Sequence, residues 1–188
     1  MNKLKDEYKK NIIPKIVKDH KITNVHLVPK VDKVVINVGI GKIKDDKKMV
    51  NMIKSDVAAI TGQKPLECQS KKAISGFKLR QGDVVGISVT LRGKKMYDFI
   101  EKLIHVALPR VRDFKGIDEK KFDKQGNLNI GIKEHIIFPE IKYEDVEKIY
   151  SIQITIVTNT NDPKLAKALI ESFGFPFKKK NTQTKYNK

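Results

Sequence analysis

The residues best suited to bind an anion lie in one short basic segment, between positions 70 and 83. The segment contributes Lys71, Lys72, Gly76, Phe77, Lys78, Arg80 and Gln81. Ammonium and guanidinium groups form charge-assisted hydrogen bonds to phosphate oxygens, so this composition suits a nucleic-acid backbone. The pattern predicts a flexible basic loop that binds a polyanion. An ordinary hairpin with a solvated loop is the alternative, and the segment alone leaves both open.

The stretch that follows this loop alternates between apolar and polar residues. Its apolar positions are Ile87, Val89 and Leu91, and its polar positions are Ser88, Thr90 and Arg92. Alternation with a period of two predicts a half-buried strand. The hydroxyls and the guanidinium on its polar side can reach the sugars, the phosphates or a guanine edge of an RNA.

A second alternating stretch, from Val34 to Gly41, has an almost bare polar side. That side consists of Val35, Asn37, Gly39 and Gly41. Glycine weakens a strand unless a partner's backbone has to approach closely. A nucleotide-binding turn is the alternative, but the third glycine of the dinucleotide motif and the Gly-Lys-Ser/Thr ending of a phosphate loop are both missing. We therefore expect no cofactor and no small-molecule substrate here.

Further alternating stretches near residues 66–70, 128–132 and 152–157 bring the expected number of strands to about five. Helical patterns lie between them, which predicts an α+β fold with two layers, a mainly antiparallel sheet with helices on one face. The other face is left open for RNA. It would carry Asn37, Gly39, Ser88, Thr90, Arg92, Asn129, Gly131, Lys133, Gln153 and Thr155. Because it lacks aromatic rings, it favours a double-helical RNA over a stacked single strand.

Two segments interrupt the helical patterns. The first helix carries Leu4, Tyr8 and Ile12 on one face, and Pro14 predicts a bend or two short helical pieces. The stretch from Ile136 to Ile141 is apolar but contains a proline, which predicts a loop with exposed apolar residues. These residues could form a protein contact or simply pack against the rest of the chain, and packing is the favoured interpretation.

The composition limits the classes of function. A chain of 188 residues with a net charge of +17 predicts one α+β RNA-binding domain over residues 1–177 and a basic, disordered tail over residues 178–188. No apolar stretch is long enough for a membrane span and no signal segment is present, so we expect a cytoplasmic protein without a membrane partner. Cys68 is the sole cysteine, which predicts a structural thiol and no metal site.

Two other classes of function compete with a fixed RNA partner. An enzyme acting on RNA would need a general acid–base pair. The adjacent Glu134 and His135 would point to opposite faces if they were strand neighbours, so they do not form one. An RNA chaperone without a fixed partner needs only charge, and the defined small-polar face argues against it.

Six motifs occur in the order found in one protein family. They are residues 35–41 (VINVGIG), 61–65 (TGQKP), 75–82 (SGFKLRQG), 89–93 (VTLRG), 109–116 (PRVRDFKG) and 137–141 (IFPEI). With them the chain closely resembles bacterial-type large-subunit ribosomal protein five, the 5S rRNA-binding ribosomal protein family. The resemblance runs from the first helix through Lys178, and Pro14 and the tail are its departures.

The resemblance implies a structural constituent of the large ribosomal subunit, not an enzyme, that works bound to the ribosome. It implies that the protein binds 5S rRNA and helps attach it to 23S rRNA in the central protuberance. The matching positions for 5S rRNA are Asn37, Gly39, Gln63, Lys64, Thr90 and Arg92.

The resemblance also implies two further contacts. The basic loop would reach the P-site tRNA through the residues named above for it. An intersubunit bridge to small-subunit ribosomal protein thirteen would use Arg110, Arg112, Asp113, Phe114, Ile137, Phe138 and Pro139.

Overall fold

A computed structural model describes residues 3–178, apart from positions 42, 44, 143 and 145. Its centre is one five-stranded sheet. The strands are β1 (Val31–Gly39), β2 (Leu66–Gln69), β3 (Val84–Leu91), β4 (Leu128–Ile132) and β5 (Ile152–Thr158). Their order is β2-β3-β1-β5-β4, with every neighbouring pair antiparallel, so β2 and β4 form the two edges. The predicted α+β fold is confirmed.

Beside the sheet, the described residues form four longer helices. Helix α1 covers residues 3–19 in three consecutive segments, and the others are α2 (Lys47–Thr61), α3 (Gly93–Lys102) and α4 (Pro163–Ser172). Local sequence fixes the ends of α2, because the Asp46 carboxylate accepts a hydrogen bond from the backbone of Met49 and Gly62 closes the helix in the left-handed conformation. Asp162 caps α4 in the same way, by accepting a hydrogen bond from the backbone of Lys164.

Helix α1 is divided as Pro14 predicts. Its segments are Lys3–Glu7, the wide turn Tyr8–Ile12 and Ile13–Asp19. The backbone N–H of Ile13 donates to the carbonyl of Tyr8, five residues back, immediately before the proline. The wider turn accommodates a residue that cannot donate a helical hydrogen bond.

The core lies between the sheet and the helices. Val34 and Ile154 on the sheet, Ile53 on α2, Ile100 on α3 and Leu169 on α4 have no exposed surface. Because successive strand residues point to opposite faces, their polar neighbours lie on the side away from the helices. The fold therefore has two layers and one uncovered sheet face.

The stretch from Ile136 to Ile141 differs from its prediction. Phe138 is fully buried and stacks on Phe99 of α3, with 6.1 Å between ring centroids, and Ile137 is 7% exposed. Glu140 pairs with Lys102 and holds the segment against α3. The prediction of exposed apolar side chains was wrong for these two residues, because a tight turn, His135–Ile137, directs them into the core.

The environment of His135 also differs from the prediction. Strand β4 ends at Ile132, so Glu134 and His135 are not strand neighbours. His135 is fully buried and stacks on Tyr150, and its Nδ1 accepts a hydrogen bond from the backbone of Tyr150. Burial lowers the pKa of this imidazole. The ring is a core residue, and the charge of Asp56, whose carboxylate accepts a hydrogen bond from Tyr150, opposes this lowering of the pKa.

In the portion of the chain that is described, none of the helices combines the length and the apolar character that crossing a membrane requires.

Candidate nucleic-acid interface

The register of the strands arranges the uncovered sheet face, here called the open face, into two rows. The first row crosses all five strands and consists of Leu66, Ser88, Asn37, Gln153 and Gly131. The second row consists of Thr90, Val35, Thr155 and Asn129. Residues directly opposite each other across strands point to the same side. The rows therefore form one continuous surface of mainly small polar groups, with Leu66 at one end of the first row and Val35 inside the second.

Most of the positions predicted for this face are accessible. Asn37, Gly39, Thr90, Gly131, Lys133 and Gln153 are exposed, and Ser88, Asn129 and Thr155 are half-buried. Among the residues of the two rows none is aromatic. The surface can offer hydroxyls, amides and bare backbone, which bind sugars and phosphates better than stacked bases.

Arg92 lies at the margin of this face, immediately after β3, and it has a partner that sequence reasoning missed. Its Nη1 is 3.2 Å from Oδ2 of Asp32, with 58% of the Arg92 side chain and 49% of the Asp32 side chain exposed. A register shift in β1 between Val31 and Lys33 places Asp32 there. Simple alternation cannot locate a residue at such a bulge.

Gln63 reaches the open face from the connection between α2 and β2, which also carries Lys64. Nε2 of Gln63 donates to the backbone carbonyl of Thr90 at 3.2 Å. Nζ of Lys95 donates to the carbonyl of Gly62 at 2.7 Å, which ties the connection to α3. Lys64 is exposed. The structure thus brings Gln63 to Thr90 at the β3 side of the face, and Lys64 follows Gln63 in the chain.

Two glycines leave the backbone of the open face uncovered by side chains. A Cβ added to Gly39 or to Gly131 would meet nothing within 4 Å. Packing within the chain therefore does not require glycine at either position, although glycine weakens a strand. Gly86 differs, because its Cβ would lie 3.4 Å from the carbonyl oxygen of Val38. The space above Gly39 and Gly131 is available to a partner.

The basic loop has a hydrogen-bonded frame. The backbone of Ser70 donates to Asp83 at 2.8 Å at its base, and Ile74 and Leu79 pair across it. A single turn, Ser75–Phe77, forms the tip and leaves Phe77 73% exposed. Lys71, Lys72, Gly76, Lys78, Arg80 and Gln81 are also exposed or half-exposed. The loop presents a ring and several cations at one end of the sheet.

The residues predicted for a bridge to the small subunit are only partly accessible. Four of them are exposed: Arg110, Arg112, Asp113 and Pro139. Phe114 is half-buried, while Ile137 and Phe138 are buried. A groove of 350 Å³ beside β4 is lined by Arg112, Asp113, Phe114 and Ile137, among others. The side chain of Phe138 faces the core and cannot form part of a contact surface.

No group of three or more His, Cys, Asp or Glu side chains that could hold a metal ion occurs among the described residues. Cys68 is half-buried on β2.

Known proteins match almost the whole chain. A family model described as "Ribosomal protein L5" matches residues 24–80, and a second model, for the C-terminus of the same ribosomal protein family, matches residues 84–177. A protein of Halothermothrix orenii named large ribosomal subunit protein uL5 is 47% identical over 94% of this chain and 99% of its own length.

Proteins with the same name from two other bacteria are similar to the chain over comparable lengths. That of Idiomarina loihiensis is 43% identical over 95% of this chain and 100% of its own length. That of Geotalea uraniireducens is 47% identical over 95% of this chain and 99% of its own length.

Proposed function

The chain belongs to the ribosomal protein L5 family, and from this membership and the geometry of the open face we propose that it binds 5S rRNA. As a member of the family it is a structural component of the large ribosomal subunit and not an enzyme. In this proposal the protein works in the cytoplasm, bound to the ribosome.

The observation that carries the proposal is the pair of polar rows on the open face. Asn37 lies at the middle of the first row, between Ser88 and Gln153, with exposed Gly39 two residues further along β1. Small side chains and bare backbone let the backbone and sugars of a helical RNA approach the sheet. Arg92 and Lys64 supply charge for phosphates at the β3 side.

Attachment to 23S rRNA in the central protuberance completes the proposed role in the subunit. A protein that holds two RNAs needs cations beyond a single face, and the net charge of +17 is consistent with this requirement.

The basic loop serves a different partner in this proposal, the P-site tRNA. Its frame projects Phe77 with Lys71 and Lys72 exposed nearby. These groups can bind the phosphodiester backbone of a tRNA, which arrives after the subunit has formed. Few buried contacts hold the loop, which suits a ligand that binds and leaves.

The groove beside β4 supports the proposed bridge to small-subunit ribosomal protein thirteen. Arg110, Arg112 and Asp113 offer charged groups at or near its rim, and Phe114 offers half-buried apolar surface. Ile137 and Phe138 are buried and pack in the core beneath this surface. Pro139 belongs to the same segment and completes the residues assigned to the bridge.

A binding comparison tests the main proposal. The dissociation constant for 5S rRNA is measured beside that for a scrambled RNA of equal length, at two salt concentrations, because phosphate contacts alone give salt-dependent binding to any RNA. We expect clear preference for 5S rRNA at both salt concentrations. Equal affinity for both RNAs would contradict a dedicated 5S rRNA site.

A further inference from the structure

A cation lies beside the β4 edge of the open face. Phe122 forms an isolated antiparallel pair with Leu128, and the backbone of Asp123 donates to the carbonyl of Asn127 at 2.9 Å. Lys121, which precedes Phe122, ends the single turn Glu119–Lys121 and is exposed. It lines the same groove as Asn129.

The amide of Asn129 is oriented by its neighbour in the row. Oγ1 of Thr155 donates to Oδ1 of Asn129 at 2.7 Å. This contact turns the Nδ2 group of Asn129 away from Thr155, and that group is a donor only. A partner with acceptor oxygens therefore suits this place.

These groups line a shallow groove of 420 Å³ at the edge of the sheet. Lys121 and Lys133 contribute cations, Asn129 and Gln153 contribute amides, and the backbone of Gly131 is bare. None of the described residues that line the groove is acidic. Cations and donors without a competing carboxylate match the oxygens of a phosphodiester.

We propose that this groove is a second RNA-backbone subsite, which binds the phosphodiester backbone of the strand opposite to the one near Arg92 and Lys64. The inference rests on the proposed function of the open face. Four inter-strand steps separate β3 from the segment that carries Lys121, roughly 19 Å at ~4.8 Å each. A double-helical RNA presents a backbone on each side of its wide, shallow minor groove. The open face therefore holds one RNA helix by both of its strands.

An added peptide strand is the other occupant that a sheet edge can accept. The cations and the oriented donor of Asn129 favour RNA over such a peptide. Site-directed cleavage separates the two occupants.

A tethered cleavage reagent locates the strands directly. In a Cys68→Ser background, Lys121→Cys, Lys64→Cys and Lys9→Cys each carry an iron–EDTA group, and the variants are bound to end-labelled 5S rRNA. We expect cuts from positions 121 and 64 on opposite strands of one helix. Position 9, exposed on α1 in the helix layer, should give none.

The outcomes distinguish the two proposals. Cuts from position 64 without cuts from position 121, or cuts by both on one strand, would overturn the subsite and leave the open face as the 5S rRNA site. Absence of cuts from both positions would overturn the open face as that site, and the subsite with it. A cross-linking reagent can be attached at position 121 in the same way and tested in assembled subunits. Cross-links to protein and none to RNA would also overturn the subsite.

Matched substitutions test the same groove by affinity. Asn129→Asp keeps an oxygen to accept from Thr155 but replaces the donor, so 5S rRNA binding should weaken at least tenfold. Lys121→Gln with Lys133→Gln should lower the slope of log affinity against log salt by about one per lysine. Lys9→Gln with Lys10→Gln on α1 is the charge-matched control. Wild-type affinity for Asn129→Asp, or an equal effect of both lysine pairs, would refute the subsite.

Discussion

Arg92 and Asp32 form an ion pair at the margin of the open face, with 3.2 Å between Nη1 and Oδ2. The carboxylate competes with any phosphate for the guanidinium and repels the phosphate itself. If the open face binds RNA as proposed, Asp32 should lower affinity for RNA in general, and a phosphate would have to be well placed to engage Arg92.

Asp32→Asn should tighten RNA binding at low salt and reduce the preference for 5S rRNA over scrambled RNA. The stability cost should be small, on the order of 0–1 kcal/mol, because the pair is exposed. Titrations with both RNAs check the change, and urea unfolding checks stability. Unchanged affinity for both RNAs would show that the ion pair does not compete with phosphate.

Gly39→Ala should preserve the fold and weaken RNA binding. The added Cβ meets nothing within 4 Å, and alanine in a strand restricts the unfolded chain, so stability should stay equal or rise by roughly 0.5–1 kcal/mol. The methyl group, however, occupies space that the proposal assigns to RNA. Thermal unfolding and a 5S rRNA titration are compared. A variant that binds as wild type would mean that RNA does not approach the sheet at this glycine.

His135 should make folding stability depend on pH. Burial lowers its pKa in the folded protein, while the unfolded chain keeps a value near 6.5. As the pH falls below about 6.5, the unfolded chain gains a proton that the folded state resists, so stability falls. The contribution is fully present above that pH.

Urea unfolding between about pH 5 and pH 7.5 tests this sign, with His135→Phe as the reference. Phenylalanine keeps the stacking on Tyr150 but cannot titrate. Stability of the wild type should fall relative to the variant as the pH is lowered through this range. Parallel pH profiles would exclude His135 as the cause.

The open face was largely predictable from sequence, because a period of two reports directly which side of a strand is buried. Asn37, Thr90 and Gln153 lie where alternation placed them. Asp32 could not be found, since the irregular register between Val31 and Lys33 breaks the alternation. Lys121 was missed because it lies in a short turn outside the strands, and only the folded chain brings it to the groove that Asn129 lines.

The burial of Ile137 and Phe138 corrects the expected exposure of this segment and agrees with packing, which was favoured over a protein contact. A proline beside apolar residues is typical of a surface loop, and local sequence does not show that α3 supplies Phe99 and Lys102 to cover it. Contacts between residues that are distant in sequence decide whether such a segment is buried.

Replacing residues 72–81 with a short Gly-Ser turn should separate the two proposed RNA contacts. Ser70, Gly82 and Asp83 remain, so the hydrogen bonds at the base of the loop can still form. We expect unchanged 5S rRNA binding and faster dissociation of P-site tRNA from reconstituted ribosomes. Loss of 5S rRNA binding with normal tRNA retention would refute the division between loop and sheet.

The central claim is that the middle of the open face binds 5S rRNA, and the dissociation constant of Asn37→Ala tests it most directly. Asn37 is exposed and pairs in register with Ser88 and Gln153, so its loss should leave the fold intact. We predict at least tenfold weaker binding than wild type, about 1.4 kcal/mol, while Lys9→Gln on the helix layer stays within twofold. Equal affinities for Asn37→Ala and Lys9→Gln would contradict the account.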